Sequence, residues 1–153
     1  MASLIIVRPA TTADIPTLLR FEQSVIAAER PFDPTLKENP VYYDLPALIA
    51  SPDTQLLVAE LDGAIIGSGY ARIEKANPMY KHSHHAYIGF MYVDPGHRGK
   101  GINQLIIDGL RQWAHGRGIT ELRLEVYYDN EAAIRAYEKA GFTRLWIQMR
   151  TPV

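Results

Sequence analysis

The sequence predicts an α/β fold in one domain spanning residues 1–153, and three stretches carry that prediction. The first is Val93-Asp94-Pro95-Gly96-His97-Arg98-Gly99-Lys100-Gly101-Ile102-Asn103, where a β-type apolar run breaks at a proline and passes through a glycine-rich basic turn. Before it, Ile88, Phe90, Met91, Tyr92 and Val93 read as a mostly buried strand; after it, Ile102, Leu105, Ile106, Leu110 and Trp113 fall at helical spacing. The second is Asp62-Gly63 between two apolar runs, the strongest short-range hairpin signal in the chain. The third is Thr11 and Asp14, spaced as a capping box ahead of Ile15, Leu18, Leu19 and Ile26, which line one face of a helix.

The remaining elements follow in order. From Arg30 to Pro52 the chain carries Pro31, Pro34, Pro40, Pro46 and Pro52 with Phe32, Tyr42 and Tyr43 interleaved, and only Asp44 to Ala50 has helical character. Prolines stiffen such a loop. The hairpin strands are Leu56–Leu61 and Ala64–Gly67. A second irregular stretch, Lys75 to His85, holds Pro78, Tyr80, His82, His84 and His85 between two strands. An amphipathic segment near Asp129–Phe142 closes the helical set.

Composition sets limits. A chain of 153 residues buries about 68–70% of the surface that its unfolded form exposes. Sixteen Lys and Arg against seventeen Asp and Glu leave no basic surplus, which argues against a protein that wraps nucleic-acid phosphates. There is no cysteine, hence no disulfide, no thiolate metal site and no cysteine nucleophile. No apolar run approaches the roughly 20 residues needed to span a bilayer, so no membrane association is expected. The N-terminus lacks a basic-then-apolar layout, which favours the cytoplasm.

The glycine-rich turn is built to hold phosphate. The first backbone N–H groups of a helix have no intrahelical partner, glycine lets the chain approach a ligand, and Arg98 and Lys100 add cationic donors. A Walker A loop is ruled out, because Gly101 stands where Ser or Thr must follow the lysine and no glycine stands five residues ahead. The spacing of a dinucleotide fingerprint is absent too. Taken alone, these residues also fit a solvated basic turn with no ligand.

The second half of the chain resolves that choice, because it resembles the GNAT superfamily of N-acetyltransferases. The family's acetyl-CoA signature, Arg/Gln-x-x-Gly-x-Gly/Ala, is matched by Arg98 and Gly101, with Asn103 in place of the final small residue. Asp129-Asn130-Glu131-Ala132-Ala133-Ile134-Arg135-Ala136-Tyr137-Glu138-Lys139-Ala140-Gly141-Phe142 is similar to the family's Asn-x-x-Ala-x-x-x-Tyr-x-x-x-Gly-Phe segment. Ile5-Ile6-Val7-Arg8-Pro9 and the helix after it resemble the family's opening strand and helix. The resemblance implies a mixed, mostly antiparallel sheet flanked by helices. Its expected order is strand, helix, helix, three strands, helix, strand, helix and a sixth, final strand.

The resemblance also implies a chemistry. Acetyl-CoA is the expected co-substrate, held by Met91, Tyr92 and Val93, by Arg98, Gly99, Lys100, Gly101, Ile102 and Asn103, and by Asn130, Ala133 and Tyr137. A strand N–H around Met91 to Val93 is the family's usual donor to the oxyanion, and Tyr137 matches its general acid. The acceptor is a primary amine of a small molecule or protein, attacking directly in a ternary complex. A lysine-like amine of pKa ~10.4 is mostly protonated at neutral pH, so a base is needed. Many members carry a glutamate on the strand before the phosphate loop, but Tyr87–Val93 has no acid. Glu74 ranks first as its replacement, with Glu125, His85, Glu29 or an ordered water chain as alternatives.

The two proline- and aromatic-rich stretches border the acceptor pocket by resemblance, where Tyr42, Tyr43, Tyr80 and Tyr87 with Glu29, Asp33, Glu38 and Glu74 suggest a cationic or aromatic amine. His82, His84 and His85 lack the further ligands and the helical spacing of a zinc site, so no metal is expected. Family members are often dimers, which makes a homodimer an open expectation. The missing strand acid also keeps a second class in view, a catalytically silent acyl-CoA-binding sensor or regulatory module.

Overall fold

Along Leu56-Leu57-Val58-Ala59, successive side chains leave a strand on opposite sides, and all four are buried. A strand apolar on both faces must be covered on both. Leu56 and Val58 pack with Leu18, Phe21, Leu45 and Leu48 on one side; Leu57 and Ala59 pack with Ile102, Ile106, Leu110 and Ala114 on the other. The result, in a computed structural model that describes residues 4–153, is a sheet with a helical layer on each face.

The elements are β1 (Ile5–Pro9), α1 (Ile15–Glu29), α2 (Leu45–Ala50), β2 (Thr54–Leu61), β3 (Ala64–Lys75), β4 (His84–Val93), α3 (Ile102–Gly116), β5 (Leu122–Arg123) and α4 (Glu131–Lys139). The sheet order is β1-β2-β3-β4-β5. The first three pairings are antiparallel and β4–β5 is parallel, so the sheet is mixed, as expected. Helices α1 and α2 cover one face and α3 the other.

Local chemistry accounts for the element ends. Asp62 (φ 52°) and Gly63 (φ 80°) form the expected tight turn between β2 and β3, with positive φ at both central positions as a type I′ turn requires. Asp44 caps α2, its carboxylate accepting from the Ala47 N–H at 3.1 Å. At the start of the first helical segment, Asp14 accepts from the Thr11 N–H at 2.8 Å and from both Arg8 guanidinium nitrogens at 2.8 and 3.0 Å. These donors hold the Asp14 carboxyl below its ordinary range, the Arg8 bond contributing most.

Asp14→Ala removes four hydrogen bonds from a residue that is 6% exposed, and is expected to lower unfolding free energy by roughly 2 kcal/mol in a denaturant titration. Because the native carboxyl titrates lower than the unfolded one, the wild-type advantage is complete above the unfolded value of ~3.9. It is lost as pH falls from there through the depressed native value.

Three expectations need correction. Leu19 and Leu105 are 48% and 43% exposed; the buried stripes run through Phe21 and Glu22 on α1 and through Ile107 on α3. Strand β5 has only two residues, so Glu125 lies beyond it. The sixth strand is absent among the described residues, and residues 143–153 form no ladder. Leu145, Trp146 and Ile147 are adjacent rather than alternating and are all more than 60% exposed, so they offer no single apolar face to a sheet. The segment is held instead through side chains, with the Arg123 guanidinium 5.5 Å from the Trp146 ring centroid and Arg150 donating to Asp33 at 2.8 Å.

Candidate active site

The site grows from an irregularity in β4. Ser68 pairs with Tyr92 and Tyr70 with Gly89, so Gly69 alone stands opposite Phe90 and Met91. Two residues against one make a β-bulge, which leaves an extra residue outside the ladder and bends the strand. Phe90 has φ 54°, a conformation costly for a bulky side chain. The buried Ser68 hydroxyl secures it by donating to the Phe90 carbonyl at 2.9 Å. The bulge also exchanges the faces of the strand: Ala86 and Ile88 point toward α3, whereas Phe90 and Tyr92 point toward α1.

On its other side β4 pairs with β5 only at Ala86 and Tyr87. From Ile88 onward that edge has no partner strand among the described residues, and the sheet opens beside the bulge.

The expected anion loop follows directly. Gly99 (φ 79°) and Gly101 (φ 78°) are left-handed, with Gly101 as the residue before α3. Nothing lies within 4 Å of a Cβ built on either, so the requirement for glycine is conformational rather than a matter of space. Arg98 folds across the base of the loop, its Nε donating to the Val93 carbonyl at 3.1 Å, while Lys100 is exposed. The first N–H groups of α3, from Ile102 and Asn103, precede the earliest possible i−4 carbonyl partner within the helix and point out of its positive end. Tyr92 and Ile102 are 9% and 1% exposed; their side chains belong to the core, and only their backbone can meet a ligand. Met91 is packed with the α3 layer in the same way.

Helix α4 presents the second motif. Asn130 is its cap, accepting from the Ala133 N–H at 3.3 Å, which engages the side-chain carbonyl and leaves the amide NH₂ for a ligand. Tyr137 is half-buried and its ring meets Phe142 edge-on at 5.9 Å. Its hydroxyl makes no hydrogen bond among the described residues. Burial, with the nearby charge of Glu29, pushes its phenol up to about 12.

Beside the bulge lies a cavity of about 230 Å³, lined by Tyr42, Tyr43, Asp44, Leu48, Tyr70 and Arg72 among others. Tyr43 stacks on Phe90 with ring centroids 4.3 Å apart, so one cavity wall rests on the bulge itself. Tyr42 and Tyr43, two of the aromatics named for the acceptor pocket, both line this cavity. The Lys75–His85 stretch leads into the other end of β4 (His84–Val93), about 30 Å along the strand from the anion loop. There Tyr80 stacks on His82 at 5.5 Å and lies under the Arg123 guanidinium at 4.6 Å. Arg72 occupies the faces of Tyr70 and Tyr87, 5.6 Å from each centroid, so those rings already hold a cation of this chain.

The carboxylates separate in role. Glu74 accepts from Arg72 at 2.7 and 3.1 Å and stands 3.5 Å from His85, an ion-paired arrangement on β3. Asp33 is bound by Arg150, Thr35 and Tyr127, with Arg150 contributing most to holding its carboxyl far below the usual range. Glu22, 2% exposed, accepts from the Tyr43 N–H at 2.9 Å and fixes the cavity wall to α1. No sequence motif pointed to Glu22. The available signal was a carboxylate inside the apolar stripe of an amphipathic helix, which needs a buried donor. Among the described residues no group of three or more His, Cys, Asp or Glu could hold a metal ion, and no helix is long and apolar enough to cross a membrane.

A sheet parted between two parallel strands, with a glycine loop and helix N-terminus at the opening, is the architecture of an acyl-CoA-dependent transferase. The model of the Acetyltransferase (GNAT) family matches residues 22–142, and the chain belongs to that family. The N-alpha-acetyltransferase RimI of Mycobacterium tuberculosis is 28% identical over 141 residues, covering 92% of this chain and 79% of that protein. Among solved structures, a tetramutant of the BH1408 protein from Bacillus halodurans is 22% identical with a TM-score of 0.85, over 97% of this chain and 99% of that one. A predicted acetyltransferase with acetyl-CoA from Clostridium acetobutylicum is 22% identical with a TM-score of 0.75, over 96% of each chain. These two likenesses bear on the fold. Membership of the family supports acyl transfer from acetyl-CoA in general terms.

Proposed function

We propose that this protein transfers the acetyl group of acetyl-CoA to a primary amine of a small molecule or protein, by direct attack in a ternary complex. The observation that carries the reading is the positive-φ bulge at Phe90, set at the unpaired edge of β4 and leading within a few residues into the glycine loop of α3. The pyrophosphate of acetyl-CoA meets the N–H groups from Arg98 to Asn103, with Lys100 adding charge. The thioester then lies along β4, where a backbone N–H between Met91 and Val93 donates to the carbonyl oxygen. A fixed donor of this kind contributes ~2.7–4 kcal/mol to the transition state. Asn130 and Ala133 frame the cofactor at the start of α4.

In this reading Tyr137 serves the leaving sulfur. A phenol raised to about 12 is a weaker acid than a thiol of ~8.5, so complete transfer ahead of C–S cleavage is uphill by roughly 5 kcal/mol. The phenol therefore acts through a hydrogen bond that strengthens as charge collects on sulfur, and its proton moves late. Glu74, bound to Arg72, is poorly disposed to receive the amine proton.

The test is thiol release from acetyl-CoA across amino acids, polyamines, aminoglycosides and N-terminal peptides. Because the chain has no cysteine, every thiol detected comes from CoA. Acetylation of one amine class is the expected outcome. Acetyl-CoA binding with no turnover on any amine would favour the sensor module.

A further inference from the structure

The cavity beside the bulge has an order along β3 that limits what it can take. Tyr70 and Arg72 leave β3 on the same side and stand opposite Gly89 and Tyr87 of β4. The Tyr70 ring lies across β4, since a Cβ on Gly89 would collide with its Cζ and Oη. Tyr70 meets Tyr43 edge-on at 6.1 Å, and Tyr43 stacks on Phe90. One end of the cavity thus rests on the bulge, and Arg72 lines the other, beyond the tyrosines.

Arg72 is an anchored cation. Its guanidinium lies 5.6 Å from the ring centroids of Tyr70 and Tyr87, and its Nε and Nη2 both donate to Glu74 Oε1, at 3.1 and 2.7 Å. Glu74 takes the Nε side of the guanidinium, so the Nη1–Nη2 end keeps the fork that a second carboxylate needs. The other charged group in the lining is Asp44, whose Oδ1 is engaged by the Ala47 N–H. A lining with one guanidinium and one carboxylate suits a ligand that carries both charges. The volume of about 230 Å³ holds roughly eight water-sized groups, which is the size of one small amino acid.

We infer that the acceptor is an ω-amino carboxylate, with its carboxylate on the Nη1–Nη2 end of Arg72 and its primary amine at the bulge; the inference rests on the acetyl-transfer reading above. Gly69, which faces the bulge, lies about 10 Å along β3 from Arg72. Subtracting ~3 Å for the hydrogen bonds at the guanidinium leaves roughly 7 Å between amine and carboxylate. An α-amino acid separates its own pair by only ~2.5 Å, whereas at ~1.2 Å per extended bond about four or five methylenes span the gap. The side-chain amine and carboxylate of a lysine-type amino acid have the same separation. In the reaction the distal ammonium loses one proton and its nitrogen forms the C–N bond at the thioester carbonyl. The C–S bond breaks, sulfur leaves with the electron pair, and a second proton from nitrogen ends on sulfur. The sum is ammonium plus acetyl-CoA giving amide, CoA thiol and one proton.

The experiment compares kcat/KM, by thiol release, for 5-aminopentanoate and its neutral match 5-aminopentanamide, in wild type and Arg72→Gln. In wild type the acid is expected to exceed the amide about 10-fold, chiefly through KM. In Arg72→Gln that ratio falls to about one, and Arg72→Lys restores part of it; a loss of packing alone would lower both substrates and leave the ratio in place. Should Arg72→Gln not fold, the wild-type chain-length series carries the test: kcat/KM rises from glycine through 4-aminobutanoate to a maximum at 5-aminopentanoate or 6-aminohexanoate. Equal rates for acid and amide in wild type, a ratio that survives Arg72→Gln, or a series with no maximum would overturn the inference. Acetylation confined to polyamines or N-terminal peptides would overturn it while leaving acetyl transfer standing. A protein that binds acetyl-CoA yet acetylates no amine would remove the transfer reading and this inference with it.

Discussion

Tyr137→Phe is expected to slow turnover of the ternary complex about 10²-fold while acetyl-CoA affinity stays within about twofold. The substitution keeps the ring that packs on Phe142 and deletes a hydroxyl with no hydrogen bond among the described residues. Folding therefore has little to lose, and in the proposed reading the hydroxyl's partner is the ligand. An uncharged phenol is the right species, since burial holds the group at about 12, protonated throughout the working range. Single-turnover kinetics from a preformed acetyl-CoA complex separate the two quantities. A large loss of affinity with unchanged turnover would place the hydroxyl in binding rather than in departure of the thiolate.

Gly101→Val is expected to weaken acetyl-CoA binding about 10-fold, measured by calorimetric titration. Gly101 has φ 78° with open space around it, so the added side chain meets strain rather than a clash. A left-handed conformation costs an ordinary residue about 1–2 kcal/mol, more when it is β-branched. The chain relieves that strain by rotating the first turn of α3 away from its anion-binding aim. Gly96→Ala is the control: Gly96 also has open surroundings but no positive φ, and its substitution should leave affinity within twofold. Equal losses at both positions would show that the loop tolerates no side chain, whatever its backbone angles.

What was legible in the sequence were features set by neighbours in the chain. Asp62-Gly63 needed only its own φ preferences, Asp44 to Ala50 its short helical run, and the glycine-rich turn its place directly before α3. The bulge at Phe90 was not legible, because every residue of β4 there is apolar or aromatic and the exchange of faces leaves no mark in an unbroken apolar run. Its cause lies across the sheet, in Ser68 and Gly69. The reading that put Glu74 first as a base did not weigh Arg72, two residues away on the same strand and the same face, whose guanidinium donates to the Glu74 carboxylate. The sixth strand was carried over by resemblance, while its own sequence, with Leu145-Trp146-Ile147 in succession, does not alternate.

The site residues act together only if acetyl-CoA occupies the opening between β4 and the chain beyond β5. The most direct measurement is a backbone-amide NMR titration of the labelled 17.2 kDa chain with acetyl-CoA. The account predicts the largest shifts at Phe90 to Val93, Arg98 to Asn103 and the first turn of α4, with β1 and the 76–83 turn unmoved. Shifts concentrated on the 76–83 turn, with the bulge and glycine loop silent, would contradict it.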